Sequence, residues 1–150
     1  MSAHESDLAG KKRIMGVDLG GVRIGIAVSD ASNILATPHS VLMRNKDDQE
    51  TIRALLALAE SEDIGEIVVG IPKGLSATNN HAENSTREFL AALTKRSTVK
   101  ISEIDERFTT VMATRRLRDT GHTAKSMKGK IDAMAAAEIL QNYLDHHGNS

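Results

Sequence analysis

The chain has 150 residues, a net charge of −1 and no cysteine. That length suffices for one hydrophobic core, and the lack of thiols excludes a disulfide framework, thiolate zinc sites and a cysteine nucleophile. The balanced charge excludes a polycation, and with only Phe89, Phe108 and Tyr143 as aromatics the chain is not built to stack bases, so a nucleic-acid ligand would be held by its phosphates through a local patch.

Residues 1–12 read as a polar tail without the apolar stretch of a signal peptide, and 13–147 as a single domain. The apolar runs are too short to cross a membrane, and the absence of cysteine suits a cytoplasmic location. The stretch 14–30, IMGVDLGGVRIGIAVSD, alternates on both sides of a Gly-Gly pair and predicts a hairpin of strands over 14–19 and 23–29. A third strand is expected near 35–42, with Pro38 placing it at an edge or a bend.

From Asp48 the period changes, and TIRALLALAESE puts Ile52, Leu55, Leu56 and Ala59 on one helical face. EIVVGIP is the unbroken apolar run of a strand buried on both faces. A helix over 81–95 follows, with Phe89, Leu90 and Leu93 inward. VKISEID is a further strand ending at Asp105-Glu106-Arg107. Thr109 or Thr110 is suited to cap a third helix that Gly121 stops. A polar loop, HTAKSMKGK, then precedes an alanine-rich helix from about 131 to 145. A meander followed by alternating units predicts a mixed α/β sheet, three antiparallel strands plus parallel ones, flanked by helices.

Three acids stand out within this frame. Asp18 ends the first strand on the face of Ile14 and Gly16, and Glu106 closes the strand over 99–105. If those strands lie side by side, both carboxylates reach one edge of the sheet. Asp132 falls in the first turn of the last helix, on the stripe of Ala135, Ala136, Ile139 and Tyr143. Inward acids need a partner, and three carboxylates make the hard oxygen site that Mg²⁺ or Mn²⁺ prefers. Singly, each acid also fits a plainer role: a turn acceptor for Asp18, a partner of Arg107 or Arg115 for Glu106, a helix-terminus charge for Asp132. Alternation puts Asp105 and Glu106 on opposite faces without choosing between them, and Glu106 is preferred. Arg107, Arg115, Arg116 and Arg118 are candidates for a phosphate track, joined by Lys125 and Lys128 and, more weakly, by Arg23. A solvated helix face explains any single arginine as well. Lys73, Ser76 and Thr78 are further candidates for backbone contact. The six histidines show no metal-ligand spacing.

The blocks MGVDLGGVRIGIAVSD, IVVGIP, DERFTT and IDAMAAAEILQNYLD follow the order and spacing of the YqgF/RuvX family, which the chain resembles along nearly all its length after the tail. The resemblance implies a ribonuclease-H-like fold akin to the RuvC resolvases, and a nuclease that matures the 5′ end of precursor 16S rRNA. By motif it implies an acidic, metal-holding site at Asp18, Glu106 and Asp132. Related resolvases carry a glutamate at the position of Gly70 and another acid at that of Gly129, so Glu106 has to take the first role. The implied partners are structured RNA, in preference to branched DNA, and pre-ribosomal particles. A resolvase would act as a homodimer, whereas trimming one RNA end needs only a monomer. Two other classes stand beside this reading. DLGG also resembles the first phosphate motif of actin-like ATPases, but the chain has no second such half. A catalytically weak RNA- or ribosome-binding factor is the other.

Overall fold

The computed structural model describes residues 12–73, 81–121 and 123–148. The expected N-terminal tail apart from Lys12, and Ser76 and Thr78, therefore lie outside the described residues. Strands β1 (Arg13–Leu19), β2 (Arg23–Ser29) and β3 (Ala36–Met43) form the meander. They are followed by α1 (Asp48–Ser61), β4 (Ile64–Ile71), α2 (His81–Arg96), β5 (Lys100–Asp105), a 3₁₀ turn over Glu106–Phe108, α3 (Val111–Arg118) and α4 (Lys125–Tyr143). Among the described residues no helix is long and apolar enough to cross a membrane.

The five strands form one sheet in the order β3-β2-β1-β4-β5. The first three are antiparallel, and β4 and β5 run parallel to β1. β3 is an edge strand, and its register against β2 shifts beside Pro38, where a residue without an N–H is tolerated. β1 and β5 are not side by side, the arrangement the sequence reading considered for bringing Asp18 and Glu106 to one edge. β4 is the most apolar strand and takes the central place between them, because only there are both of its faces covered.

Alternation divides the core in two. Met15, Val17, Ile24, Ile26, Ile67 and Val69 face α1 and α2, where Ile52, Leu55, Phe89 and Leu93 are buried. Ile14, Ala27, Val68 and Ile104 face α4 and bury Ala135, Ala136, Ile139 and Leu140. Alanines on the helix and glycines on the strands bring α4 unusually close to the sheet. A Cβ on Gly16 would meet Leu140 Cβ at 2.6 Å, and one on Gly25 would meet the Asp132 carbonyl oxygen at 2.0 Å.

α4 begins at Lys125, six residues earlier than the sequence suggests. Lysine, serine and methionine are all compatible with a helix, and Gly129 is accommodated inside it at a cost of about 1 kcal/mol relative to alanine. Asp132 is consequently in the interior of α4. Its charge is not explained by a helix terminus, so its neighbours must account for it.

Candidate active site

The level at which β1 and β4 end is set by their register. Asp18 pairs with Gly25 on β2, and Val17 pairs with Val69 on β4, so Asp18 and Gly70 follow at one height. Asp18 shares the α4-facing side of the sheet with Ile14 and Gly16. Glu106 comes directly after β5, on the parity of Ile104, and is the buried member of its 3₁₀ turn. Asp18, Glu106 and Asp132 are 3 %, 3 % and 2 % exposed, which for carboxylates demands compensation.

Gly70 explains how Glu106 crosses a strand to approach Asp18. A Cβ at Gly70 would lie 3.0 Å from both Cγ and Oε1 of Glu106, and 2.8 Å from Ile139 Cδ1. The glutamate thus fills the space above β4 that a side chain at position 70 would occupy. Gly70→Ala presses on two side chains and on no backbone atom, so the fold should change by about 1 kcal/mol. Displacement of the Glu106 carboxylate should lower turnover roughly 10–100-fold. Single-turnover cleavage beside a urea melt checks both halves of this prediction.

Arginines supply the compensation. Arg115 hydrogen-bonds Asp18 and Glu106 together through Nη2, with further contacts from Nη1 to Glu106 Oε2 at 3.0 Å and from Nε to Asp18 Oδ2 at 3.4 Å. Asp132 is held separately, by Arg23 Nε at 2.5 Å and Arg118 Nη1 at 2.7 Å. Burial opposes the charged form of Arg115, but its bonds to Glu106 and Asp18 outweigh burial and hold its pKa above the ordinary arginine value. Arg118 is also raised, first by its bond to Asp119, against burial, and then by Asp132.

The three nominated acids therefore gather as a pair and a neighbour. Among the described residues no three carboxylate or histidine side chains form a group that would hold one ion. Asp18 and Glu106 do converge on a single positive group, and their oxygens are of the type a hard cation takes. The pair fits such a cation once Arg115 turns away. Asp132 stands one strand over, with its backbone above Gly25, the register partner of Asp18.

Asp105, the alternative to Glu106, is occupied otherwise. It accepts the Arg107 N–H at 2.9 Å to cap the 3₁₀ turn and pairs with Arg107 Nη2 at 2.7 Å. These bonds hold its carboxyl below the ordinary range. Thr109 rather than Thr110 is the capping hydroxyl, accepting the Val111 N–H at 3.2 Å. Thr110 and Thr114 instead donate to Glu138 on α4, which fixes α3 over the site.

The expected phosphate track is rearranged. Arg23, Arg115 and Arg118 point at the carboxylates, Arg107 lies against Asp105 and Phe108, and Arg116, Lys125 and Lys128 make no salt bridge among the described residues. One arginine was missed in the sequence. Arg44 lies over the Phe89 ring and donates to the Gly20 carbonyl at 3.1 Å, bracing the β1–β2 turn beside Asp18. A lone arginine after a strand carries no periodic or motif signal that would have singled it out.

A family model described as RuvX, Holliday junction resolvase, matches residues 12–146. The chain belongs to the RuvX family. A family relative in Mycobacterium sp. (strain KMS) is 39% identical over 137 residues, covering 91% of this chain and 81% of the relative. Another, in Nocardioides sp. (strain ATCC BAA-499 / JS614), is 42% identical over 134 residues, covering 87% and 86%. Both bear the name "Putative pre-16S rRNA nuclease". Among solved structures, T. thermophilus RuvC in complex with Holliday junction substrate superposes with a TM-score of 0.55 at 11% identity, over 92% of this chain and 96% of that one. The RuvX chain therefore has the ribonuclease-H-like fold expected from its sequence, the mixed sheet flanked by helices.

Proposed function

We propose that this chain is a cation-dependent nuclease that hydrolyses phosphodiester bonds in structured RNA, in the maturation of the 5′ end of precursor 16S rRNA. The observation that carries the reading is the convergence of two buried carboxylates, Asp18 and Glu106, on one cationic group at the end of the central strands. Membership of a family whose relatives are named for that RNA supports the substrate. Asp18 and Glu106 would hold Mg²⁺ or Mn²⁺, with Asp132 beside them. When bound, the ion supplies a Lewis acid for the phosphoryl oxygens and lowers the pKa of water for in-line attack.

The chain's own groups do the rest. Arg23 and Arg118 hold the Asp132 carboxylate fixed in direction. Arg116, Lys125 and Lys128 lie on α3 and the start of α4 and would hold backbone phosphates, giving affinity that falls with salt and reads little sequence. A second reading, cleavage of branched DNA, is favoured by the description of the family as Holliday junction resolvase. It would require a dimer with two sites.

The test offers a precursor-rRNA 5′ leader and a four-way DNA junction, with Mg²⁺ or Mn²⁺, to wild type, Glu106→Gln and Asp105→Asn. Wild type and Asp105→Asn should cleave the leader, while Glu106→Gln should not. Cleavage of the junction alone would transfer the assignment to the second reading. Binding of the leader without cleavage of either substrate by wild type would make the chain an RNA-binding factor.

A further inference from the structure

We propose that Arg115 couples the two ligands of this site: it holds Asp18 and Glu106 while no cation is bound, and turns to a backbone phosphate of the nucleic acid when the cation takes its place. This rests on the cation-dependent reading above and adds to it a residue whose position depends on what is bound.

The charge balance motivates the coupling. Three buried carboxylates, Asp18, Glu106 and Asp132, face three guanidinium groups, Arg23, Arg115 and Arg118. Asp119, which also pairs with Arg118, leaves the cluster with one net negative charge. A divalent cation added to it makes it net positive, and a site with that charge attracts phosphate. The reverse also holds. A phosphate that draws Arg115 away leaves Asp18 and Glu106 facing each other without a counter-charge, which favours capture of a cation. Linkage requires the two effects to be equal in size.

Arg115 differs from its neighbours in what it holds. Among the described residues it is the sole side-chain partner of both Asp18 and Glu106, whereas Asp132 has two arginines and keeps one if the other leaves. Arg115 also has somewhere to go. With Arg118 it lines an open cavity of about 440 Å³ beside Asp18, whose other walls include Arg44, Ser85 and Thr86. Thr86 is 3 % exposed, and among the described residues its hydroxyl has no hydrogen-bond partner. The guanidinium groups in the cavity walls suit a phosphate oxygen, and Asp18, one of the two carboxylates that Arg115 would vacate, lines the same cavity.

The experiment measures Mn²⁺ binding by the electron-paramagnetic signal of the free ion. Wild type and Arg115→Gln are compared with and without a cleavage-resistant phosphorothioate RNA hairpin, after subtraction of binding to the hairpin alone. Wild type should bind Mn²⁺ roughly tenfold more tightly when the hairpin is present, within the usual range of coupling between sites. Arg115→Gln should bind Mn²⁺ more tightly than wild type without RNA, and the hairpin should change its affinity less than about twofold, the coupling having been removed. The melting temperature of Arg115→Gln should also rise more on adding Mn²⁺ than that of wild type. If Arg115→Gln does not fold, Arg115→Lys, with its smaller reach, should show reduced coupling. A variant that binds Mn²⁺ no more tightly than wild type, or keeps the full coupling, overturns the role of Arg115. Failure of wild type to bind Mn²⁺ even with the hairpin present would instead remove the cation-dependent reading itself.

Discussion

Gly25→Ala will lower the stability of the fold by about 3 kcal/mol, the upper end of what an added methylene costs in a packed interior. The new Cβ would sit 2.0 Å from the Asp132 carbonyl oxygen, 2.5 Å from its carbon and 3.2 Å from Ala133 N. These are backbone atoms in the middle of α4, so no side chain can swing aside to make room. The whole helix must lift from β2, and it carries Asp132 away from Arg23 as it does so. At roughly 2–4 °C per kcal/mol for a chain of this size, the melting temperature should fall by about 6–12 °C. Gly129→Ala provides the contrast. Its Cβ would meet only Val41 Cγ2, at an ordinary 3.6 Å, so it should stabilise α4 by up to about 1 kcal/mol. Equal melting of Gly25→Ala and wild type would show that the close seating of α4 on the sheet is wrong.

Asp18→Asn will abolish most turnover while leaving nucleic-acid binding, measured without divalent cation, close to that of wild type. The amide keeps the shape of the carboxylate but neither its charge nor its affinity for a hard cation. Loss of several kcal/mol of transition-state stabilisation, at 1.36 kcal/mol per factor of ten, corresponds to roughly a thousandfold loss of rate. Binding should survive because Asp18 is buried beneath Arg115 and repels phosphate if it acts at all. Arg115 still keeps Glu106 as a partner, so the variant should fold. Single-turnover cleavage of the leader RNA, with filter binding across a monovalent-salt series in the absence of divalent cation, separates the two quantities. Undiminished cleavage would place the chemistry elsewhere in the molecule.

Much of this protein was legible without coordinates because the signals are local. Alternation in IMGVDLGGVRIGIAVSD defined the hairpin, the unbroken run IVVGI marked a central strand, and the spacing of Asp132, Ala135, Ala136 and Ile139 defined the buried stripe of α4. The same patterns turned Asp18 and Asp132 inward, because the parity of a strand and the phase of a helix decide which side a residue faces.

What lay beyond the sequence depends on contacts between distant segments. Strand order is not written in any window, so β4 was not foreseen between β1 and β5, nor was the use of Gly70 as the gap that Glu106 fills. The start of α4 at Lys125 was obscured because glycine and polar residues look like a loop until packing against β3 decides otherwise. The arginines show the limit most clearly. Charge and spacing put Arg115 and Arg118 on one short basic helix, which reads as an open face for phosphate. Only the tertiary structure brings that helix over two strand ends, where buried carboxylates outcompete water for the same guanidinium groups. Local pattern along the chain sets which residues carry the charges and which way they face. The tertiary structure decided which charges meet, because ion pairing depends on separations of a few ångströms between elements that the chain places far apart.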